Sequence, residues 1–276
     1  MGNEFRQYME LIGKRAMAQQ VAGTEDYVGE DGLLYCGKCH TPRQCRPEGF
    51  DMVMPVICDC RREQARRAEQ ERRVAFLRER CFDSPRQYCA TFENDLGYDP
   101  RATRVMMSYV EHFDSTREDG IGLLLYGPFG TGKSYHACQV ANALIDRLLP
   151  VKVTQFEDLY RLSQNERDKS AFFRSLTRNA LVVIDDLGAE KKSDAMQSFV
   201  FTVIDKLYIS KTPFIVTTNL TIDELKRPEN KENGRIYERI LERCPYPVLV
   251  ERKEGSVRRQ LIRENYEKYK ALWDAE

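Results

Sequence analysis

The chain lacks an excess of charge of either sign, and it lacks any long apolar run. Its 276 residues include 43 basic and 43 acidic side chains, so no overall field draws it to nucleic acid or to a membrane. No apolar stretch approaches the about 20 residues that span a bilayer. The first six residues have neither the apolar core of a signal peptide nor a serine or threonine at the sixth position. We therefore expect a cytoplasmic protein without membrane partners, whose specificity lies in local sites.

Cysteine, by contrast, is concentrated in one short segment. Five of the nine cysteines lie between residues 36 and 60, and four of these form a C-x-x-C pair and a C-x-C pair. The four are Cys36, Cys39, Cys58 and Cys60. In a reducing compartment clustered cysteines indicate metal rather than disulfides, and four thiolates at this spacing suit tetrahedral zinc. Because the second pair is shorter than the usual C-x-x-C, His40 and Cys45 stay open as substitute ligands.

The segment around these cysteines has the pattern of a small zinc-ribbon-like module. Asp31-Gly32 predicts a hairpin turn between two short strands, and Met52 to Ile57 predicts another strand, so the cysteine pairs are expected on facing turns. Such a short segment cannot bury enough apolar area to fold alone, so zinc would supply the missing stability. Phe5, Met9, Ile12 and Ala16 recur at helical spacing before it, on a face that suits either the chain's own core or a partner helix.

Residues 61–80 follow the last clustered cysteine and predict a polar connecting helix. Arginine and glutamate alternate there with almost no helix breakers. A basic face for nucleic acid is one interpretation, but the interleaved glutamates favour a solvated helix with internal salt bridges. The expected domains are residues 1–60, a linker helix at 61–89, and a large α/β domain at 90–276.

The most specific motif is a glycine-rich loop that has the pattern G-x-x-x-x-G-K-[ST]. It follows the apolar run Leu123 to Tyr126 and precedes a helical stretch that runs to Leu149. Glycines let the backbone amides curl around phosphate oxygens, and the following helix adds the positive end of its dipole. Lys133 would reach the β- and γ-phosphates of ATP, and the Ser134 hydroxyl would bind Mg²⁺. The expected nucleotide-binding residues of this loop are Gly127, Pro128, Phe129, Gly130, Thr131, Gly132, Lys133, Ser134 and Tyr135.

Two later apolar runs end in polar residues and predict buried parallel strands that deliver side chains to the phosphates. Leu181 to Ile184 leads to Asp185, expected to hold Mg²⁺, and to Asp186, expected to orient or deprotonate the attacking water. The run that starts at Pro213 ends at Asn219, whose amide would bridge the γ-phosphate and the attacking water.

Taken together and in this order, the motifs resemble the AAA+ ATPases of the DnaC/DnaI helicase-loader group, which includes the IstB transposition helpers. They are Gly127 to Ser134, Leu181 to Glu190, Thr217 to Leu220, Arg235 to Arg239 and Ser256 to Arg259, and the likeness covers roughly residues 90–270. The cysteine module before an arginine-rich helix is similar to loader-like proteins of bacteriophages and prophages. IstB-type helpers generally have no such module, which favours the loader interpretation.

The resemblance implies an ATP-dependent oligomer that loads a replicative DnaB-type helicase onto single-stranded DNA. In the family an arginine of one subunit reaches the γ-phosphate bound by the next. Motif position gives that role to Arg239, with Arg235 and Arg243 as alternatives, and gives Arg258 a sensor role within its own subunit. Two departures from the family pattern are Asp186 in place of the common glutamate, compatible with slow turnover, and Leu207-Tyr208 in place of Arg-Tyr.

The resemblance also suggests where single-stranded DNA would bind. Residues 158–179 lie at the position of an extra helix that touches DNA in loader-like relatives, and they contain five basic side chains near Phe172 and Phe173. The basic residues are Arg161, Arg167, Lys169, Arg174 and Arg178. The alternative, with both phenylalanines in the core and the charges solvated, stays open. Two further alternatives for the whole chain are an IstB-like transposition helper and an adaptor that binds nucleotide with little hydrolysis.

Overall fold

The computed structural model of the chain describes residues 26–50, 52–82, 84–190, 193–228, 230–252 and 256–273. The chain forms two compact units, residues 1–73 and 74–276, and the division falls inside a long helix. The division at residues 60 and 89 stays a prediction. The amphipathic segment with Phe5, Met9, Ile12 and Ala16 lies outside the described residues. No helix in the described part of the chain is both long and apolar enough to cross a bilayer.

The first unit contains two short antiparallel hairpins. Their strands are β1 (Tyr27–Val28), β2 (Leu34–Tyr35), β3 (Gln44–Cys45) and β4 (Met54–Pro55). The predicted turn joins β1 to β2, with Gly32 at φ +74° and the Asp31 carboxylate accepting the Leu33 amide. Because the second hairpin ends just before a helix, Cys58 and Cys60 lie at the N-terminus of that helix rather than on a turn facing the first pair.

This helix, α1 (Asp59–Cys81), is the predicted polar helix and begins two residues earlier than expected. Glutamates pair with arginines four residues later, Glu63 with Arg67 and Glu69 with Arg73, each at 3.0 Å on an exposed surface. These pairs favour the solvated, salt-bridged interpretation of its charges.

The second unit is built on a parallel sheet, which confirms the predicted α/β class. The strands are β5 (Leu123–Tyr126), β6 (Val151–Thr154), β7 (Leu181–Leu187), β8 (Phe214–Thr218) and β9 (Pro247–Leu249). Their order across the sheet is β6-β7-β8-β5-β9, and every neighbouring pair is parallel. The central strands are therefore the three that precede the predicted phosphate-site residues, whose carboxyl ends meet at one edge.

Helices cover both faces of this sheet. The helices of this unit are α2 (Pro85–Tyr88), α3 (Pro100–Glu111), α4 (Phe113–Asp119), α5 (Lys133–Asp146), α6 (Phe156–Asn165), α7 (Lys169–Thr177), α8 (Asp194–Ile209), α9 (Ile222–Lys226), α10 (Lys231–Arg243) and α11 (Val257–Trp273). Successive strand residues alternate between faces, so Leu123 and Leu125 pack with α3 and α5, while Leu124 packs with α8 and α10. Apolar burial on both faces explains why the strands are continuous hydrophobic runs.

Candidate nucleotide site and cysteine cluster

The glycine-rich loop joins β5 to α5 and depends on glycine for its shape. Gly127, Gly130 and Gly132 all have positive φ. A Cβ on Gly127 would lie 2.3 Å from the carbonyl oxygen of Val250, and one on Gly130 would lie 2.1 Å from Ser256 Oγ. The loop therefore requires glycine both for its backbone conformation and for close packing against the segment after β9. Helix α5 starts at Lys133, two residues before the predicted start, so its first amides face the loop.

Lys133 occupies the centre of this loop. Its side chain is only 5% exposed, and Nζ donates to the carbonyl oxygens of Gly127 (2.9 Å) and Pro128 (2.8 Å). Nζ also donates to Asn219 Oδ1 at 2.7 Å. The fold thus brings together the predicted lysine from α5 and the predicted asparagine from the end of β8, which are 86 residues apart in sequence.

The two predicted carboxylates lie where β7 becomes irregular near its end. The pairing of β7 with β8 shifts register between Ile184 and Leu187, and Asp186 adopts φ +58°, which is uncommon for a non-glycine residue. The buried Thr217 hydroxyl accepts the Asp186 amide at 2.9 Å and donates to Asp185 Oδ1 at 2.6 Å. Thr217 was not predicted as a site residue, although a threonine pair at the end of an apolar strand is a usable signal.

The phosphate loop forms one wall of a cleft of about 300 Å³, and a segment that precedes α3 forms the opposite wall. Asp186 and Asn219 lie between these walls. The residues of the opposite wall are Asp95, Leu96, Tyr98 and Asp99. The sequence does not predict these residues as a binding surface, because a turn-rich stretch has no periodic pattern that marks it as one.

Helix α5 holds this second wall through buried amides. The Gln139 amide donates to the Thr91 carbonyl, and the Asn142 amide donates to that of Ala90. The Tyr135 hydroxyl donates to the Asn94 carbonyl at 2.8 Å. Gln139 and Asn142 are almost fully buried, and buried amides require partners. One helix therefore positions both Lys133 and the wall that faces it.

The lining of the cleft combines two kinds of chemistry. The loop end offers backbone amides and Lys133, which suit phosphate, whereas Leu96, Tyr98 and Phe129 offer apolar surface for a stacked base. Burial alone would raise the pKa of Asp95. Hydrogen bonds from the Thr103 hydroxyl and the Gly97 amide outweigh this effect, so the pKa of the carboxyl lies below its usual value. The donor set fits a nucleoside triphosphate.

Comparison with known proteins agrees with this geometry. The family model for the IstB-like ATP binding protein matches residues 56–264. The chain belongs to this family. It is accordingly an ATP-binding protein with the AAA+ P-loop fold.

Two relatives of this IstB-like chain represent two groups of proteins, the helicase loaders and the insertion sequence ATP-binding proteins. The replicative helicase loader DnaI of Bacillus subtilis (strain 168) is 25% identical over 207 residues, which are 70% of this chain and 66% of the relative. An insertion sequence ATP-binding protein of Sinorhizobium fredii is 27% identical over 131 residues, 46% of this chain and 44% of the relative. The chain thus spans just under two thirds of the length of DnaI and under half of the length of the Sinorhizobium fredii protein.

A solved structure of DnaI has the same fold as the ATPase unit. It superposes with a TM-score of 0.52 at 24% identity, over 62% of this chain and 96% of the DnaI chain. A parallel sheet flanked by helices, with the phosphate loop at the edge where the central strands end, is the AAA+ arrangement, so the predicted fold class is confirmed.

The four predicted arginines are placed differently from one another. Arg239 pairs with Asp205 at 2.9 Å, and its guanidinium lies 4.8 Å from the centre of the Phe201 ring. Arg243 donates to the carbonyl oxygens of Asp119 and Tyr208, whereas Arg235 is exposed. Within the described part of the chain, none of these three lines the nucleotide cleft. The side chain of Arg258 lies outside what the structure describes.

The four predicted cysteines come together in the first unit. Their Sγ atoms all lie within 4.8 Å of one another, with Cys36 to Cys60 at 3.6 Å and Cys58 to Cys60 at 3.5 Å. A tetrahedral ion with Zn–S bonds of about 2.3 Å requires sulfurs about 3.8 Å apart. Disulfide sulfurs lie about 2.05 Å apart, so these thiols are not bonded to one another. The cluster fits a zinc module.

Neighbouring groups prepare these thiols unequally for a cation. The Thr41 hydroxyl, donating at 3.1 Å, lowers the pKa of Cys39 to about 5. Hydrogen bonding with Cys58, and then with Cys39 and Cys36, raises the pKa of Cys60 to about 12. A bound cation would favour the thiolate form of all four cysteines, because metal ligands must be deprotonated.

The two substitute ligands lie outside the cluster of described sulfurs. The Nδ1 atom of His40 contacts the Tyr27 hydroxyl at 3.3 Å, and Cys45 belongs to β3. The four cysteines therefore offer enough ligands for a tetrahedral metal site without His40 or Cys45.

Proposed function

We propose that this AAA+ ATPase is a helicase loader that binds a replicative DnaB-type helicase and delivers it to single-stranded DNA. The observation that carries the proposal is the combination of an ATPase unit with a separate cysteine-cluster unit in one chain. The likeness to the DnaI loader over 70% of the chain supports it. In this proposal the first unit contacts the helicase, and nucleotide at the second controls assembly and release.

The proposed catalytic roles are those that the motifs predict for the residues around the loop. Lys133 would hold the β- and γ-phosphates, and Ser134 and Asp185 would bind Mg²⁺. Asp186 orients or deprotonates the attacking water, and Asn219 bridges that water and the γ-phosphate. The 2.7 Å contact between Lys133 and Asn219 supports this, because it places the asparagine amide at the phosphate end of the cleft.

Self-association would complete the site through an arginine of the neighbouring subunit. Arg239 is the proposed residue by motif position, and its Asp205 partner holds it in place on α10. Arg235 lies one turn earlier on the same helix and is exposed. An assay at rising protein concentration tests this, because a residue supplied in trans makes the specific ATPase activity increase with concentration. A subunit mixture of Lys133→Ala and Arg239→Ala chains should recover activity if Arg239 acts in trans, since each chain lacks a different half of the site.

Zinc at the four cysteines is the proposed structural metal of the first unit. The sulfur positions support it because they match a tetrahedral thiolate site. In this proposal the ion closes the module, and the exposed surface of the module is left for a protein partner.

DNA contact is proposed for residues 158–179, on their charges alone. Both phenylalanines pack on the core beneath α8, with the Phe173 ring 6.3 Å from that of Phe199, so they do not form an exposed platform. Arg174 and Arg161 are exposed beside acidic partners, Asp168 and Asp158. Backbone phosphates rather than stacked bases are therefore the expected contacts.

Co-purification tests the loader proposal directly. The tagged chain, incubated with a DnaB-type helicase and ATP, should retain the helicase on the affinity matrix. A fluorescent forked DNA should then be unwound faster when the chain is present. A chain that hydrolyses ATP but never retains the helicase would exclude loading while leaving the ATPase assignment intact.

The second candidate is an IstB-like transposition helper. The family description and the Sinorhizobium fredii relative favour it. In that case the same matrix should retain a transposase and ignore the helicase. An adaptor with little hydrolysis is the third candidate, and single-turnover hydrolysis with and without single-stranded DNA distinguishes it from the other two.

A further inference from the structure

The segment that follows β9 contacts both ends of the nucleotide cleft. At the phosphate end, Ser256 lies so close to Gly130 that any side chain on that glycine would collide with its hydroxyl. At the base end, the Glu251 amide donates to Asp99 Oδ2 at 3.2 Å. The same carboxylate accepts the Ala102 amide and so caps α3. Glu251, just after β9, and Ser256, just before α11, therefore each contact a residue that lines the cleft.

Arg252 provides a third and more direct connection. Its guanidinium carbon lies 3.8 Å from the centre of the Tyr98 ring, and Tyr98 lines the cleft. Its Nη2 atom donates to Gln260 Oε1 at 2.6 Å, and Gln260 Nε2 donates to Glu264 Oε1 at 2.6 Å. One arginine thus covers a wall residue of the cleft and holds the first turns of α11.

Helix α11 has few other attachments to the ATPase unit. Among the α11 side chains that the structure describes, Gln260 alone is partly buried, and the rest are exposed. The exposed residues include Ile262, Tyr266, Tyr269 and Trp273, which recur at spacings of four and three on one face. A helix that is held near its start and exposed along its length can change orientation when that attachment moves.

We propose that Arg252 is a positioning residue that couples nucleotide binding to the orientation of α11 through Tyr98 and Gln260. A base that stacks in the apolar end of the cleft contacts the same ring that carries the guanidinium, so it shifts or fixes that ring. The short bond to Gln260 passes the change to the helix. Because coupling is reciprocal, α11 in turn alters nucleotide affinity by the same factor. The proposal rests on ATP binding in this cleft but not on helicase loading.

The chain contains a natural reporter of this coupling. Its one tryptophan, Trp273, lies in the last turn of α11, is 79% exposed, and stacks on Tyr269 at 5.3 Å. A nucleotide in the cleft makes no direct contact with that end of the helix unless the helix moves. Tryptophan emission and anisotropy during titration with Mg²⁺ and a non-hydrolysable ATP analogue therefore measure the motion of α11, and calorimetry measures binding independently.

The expected result is a saturable change in Trp273 emission in the parental chain. Gln260→Ala should abolish most of the change while leaving the Arg252 stack on Tyr98 in place. Arg252→Ala should abolish the change and weaken analogue binding by about threefold to tenfold. Tyr98→Phe retains the ring and should retain the signal. Arg263→Ala is the matched control, since it removes an exposed arginine from the same helix.

Three outcomes would overturn the proposal. One is calorimetric binding to the parental chain with no change at Trp273, which contradicts the coupling while leaving nucleotide binding established. The second is a parental signal in both Arg252→Ala and Gln260→Ala. The third is an equal loss in Arg263→Ala, which would show that α11 responds to any substitution. Arg252→Lys separates charge from shape, because it keeps the cation but loses the planar stack and should recover only part of the signal.

Discussion

At the scale of single residues, a substitution of Asp186 should distinguish ATP hydrolysis from ATP binding most clearly. Asp186→Asn should leave ATP binding intact and slow hydrolysis by about 100-fold or more, because only the proton-accepting group changes. Single-turnover hydrolysis at saturating ATP measures this, with Asp119→Asn as a control on an exposed acid. If Asp186→Asn retains the parental rate, the role moves to Glu190, whose carboxylate accepts the Gly188 amide at 2.8 Å.

Lys133 should show the opposite behaviour. Lys133→Ala should weaken ATP binding by about 10-fold to 100-fold, because it removes the buried charge that we propose hydrogen-bonds to the phosphate oxygens. Calorimetry with a non-hydrolysable analogue measures the affinity, and Lys226→Ala is the matched control on an exposed helix. Unchanged affinity would mean that phosphate binds away from the loop.

Thr217 is the residue whose importance only the structure shows. Thr217→Val keeps the shape but removes the hydroxyl between the Asp186 amide and Asp185. A buried amide without an acceptor should lower the free energy of unfolding by about 1–3 kcal/mol. Urea unfolding measures the loss, and Thr202→Val should cost less, because the Thr202 hydroxyl donates to the Ser198 carbonyl at an exposed position of α8. Hydrolysis should fall as well, since both carboxylates lose their support.

At the scale of elements, the sequence predicted what short-range patterns encode. The strand at Leu181 and the loop at Gly127 were identifiable because apolar runs and glycine spacing are local. The wall at Leu96 and Tyr98 was not, because it becomes a binding surface only when α5 holds it against the loop through Gln139 and Asn142. The place of Cys60 on a helix rather than a turn was missed because a C-x-C spacing is compatible with both.

The α6–α7 segment gives the element-scale prediction for DNA. Lys169→Ala together with Arg174→Ala should reduce affinity for single-stranded DNA, and its salt dependence should flatten by about 0.7 per lost phosphate contact in a double-logarithmic plot. Fluorescence anisotropy of a labelled oligonucleotide across a salt series measures both. The double mutant Lys226→Ala with Lys231→Ala controls for total charge. An unchanged slope would place the DNA surface elsewhere, with α1 as the next candidate.

At the scale of the whole molecule, the two compact units predict that metal and nucleotide act independently. Elemental analysis of chain purified without chelators should find about one zinc per chain. Cys36→Ser should lose this metal, because three thiolates no longer close a tetrahedral site, and the first unit should then be cleaved faster by protease. ATP affinity should stay at the parental value, since Lys133 and its cleft belong to the other unit.

Cys45→Ser is the matched control and should keep the zinc. A Cys36→Ser chain that loses zinc and ATP binding together would contradict this independence, and it would mean that the cysteine unit supports the fold of the ATPase unit rather than a partner contact.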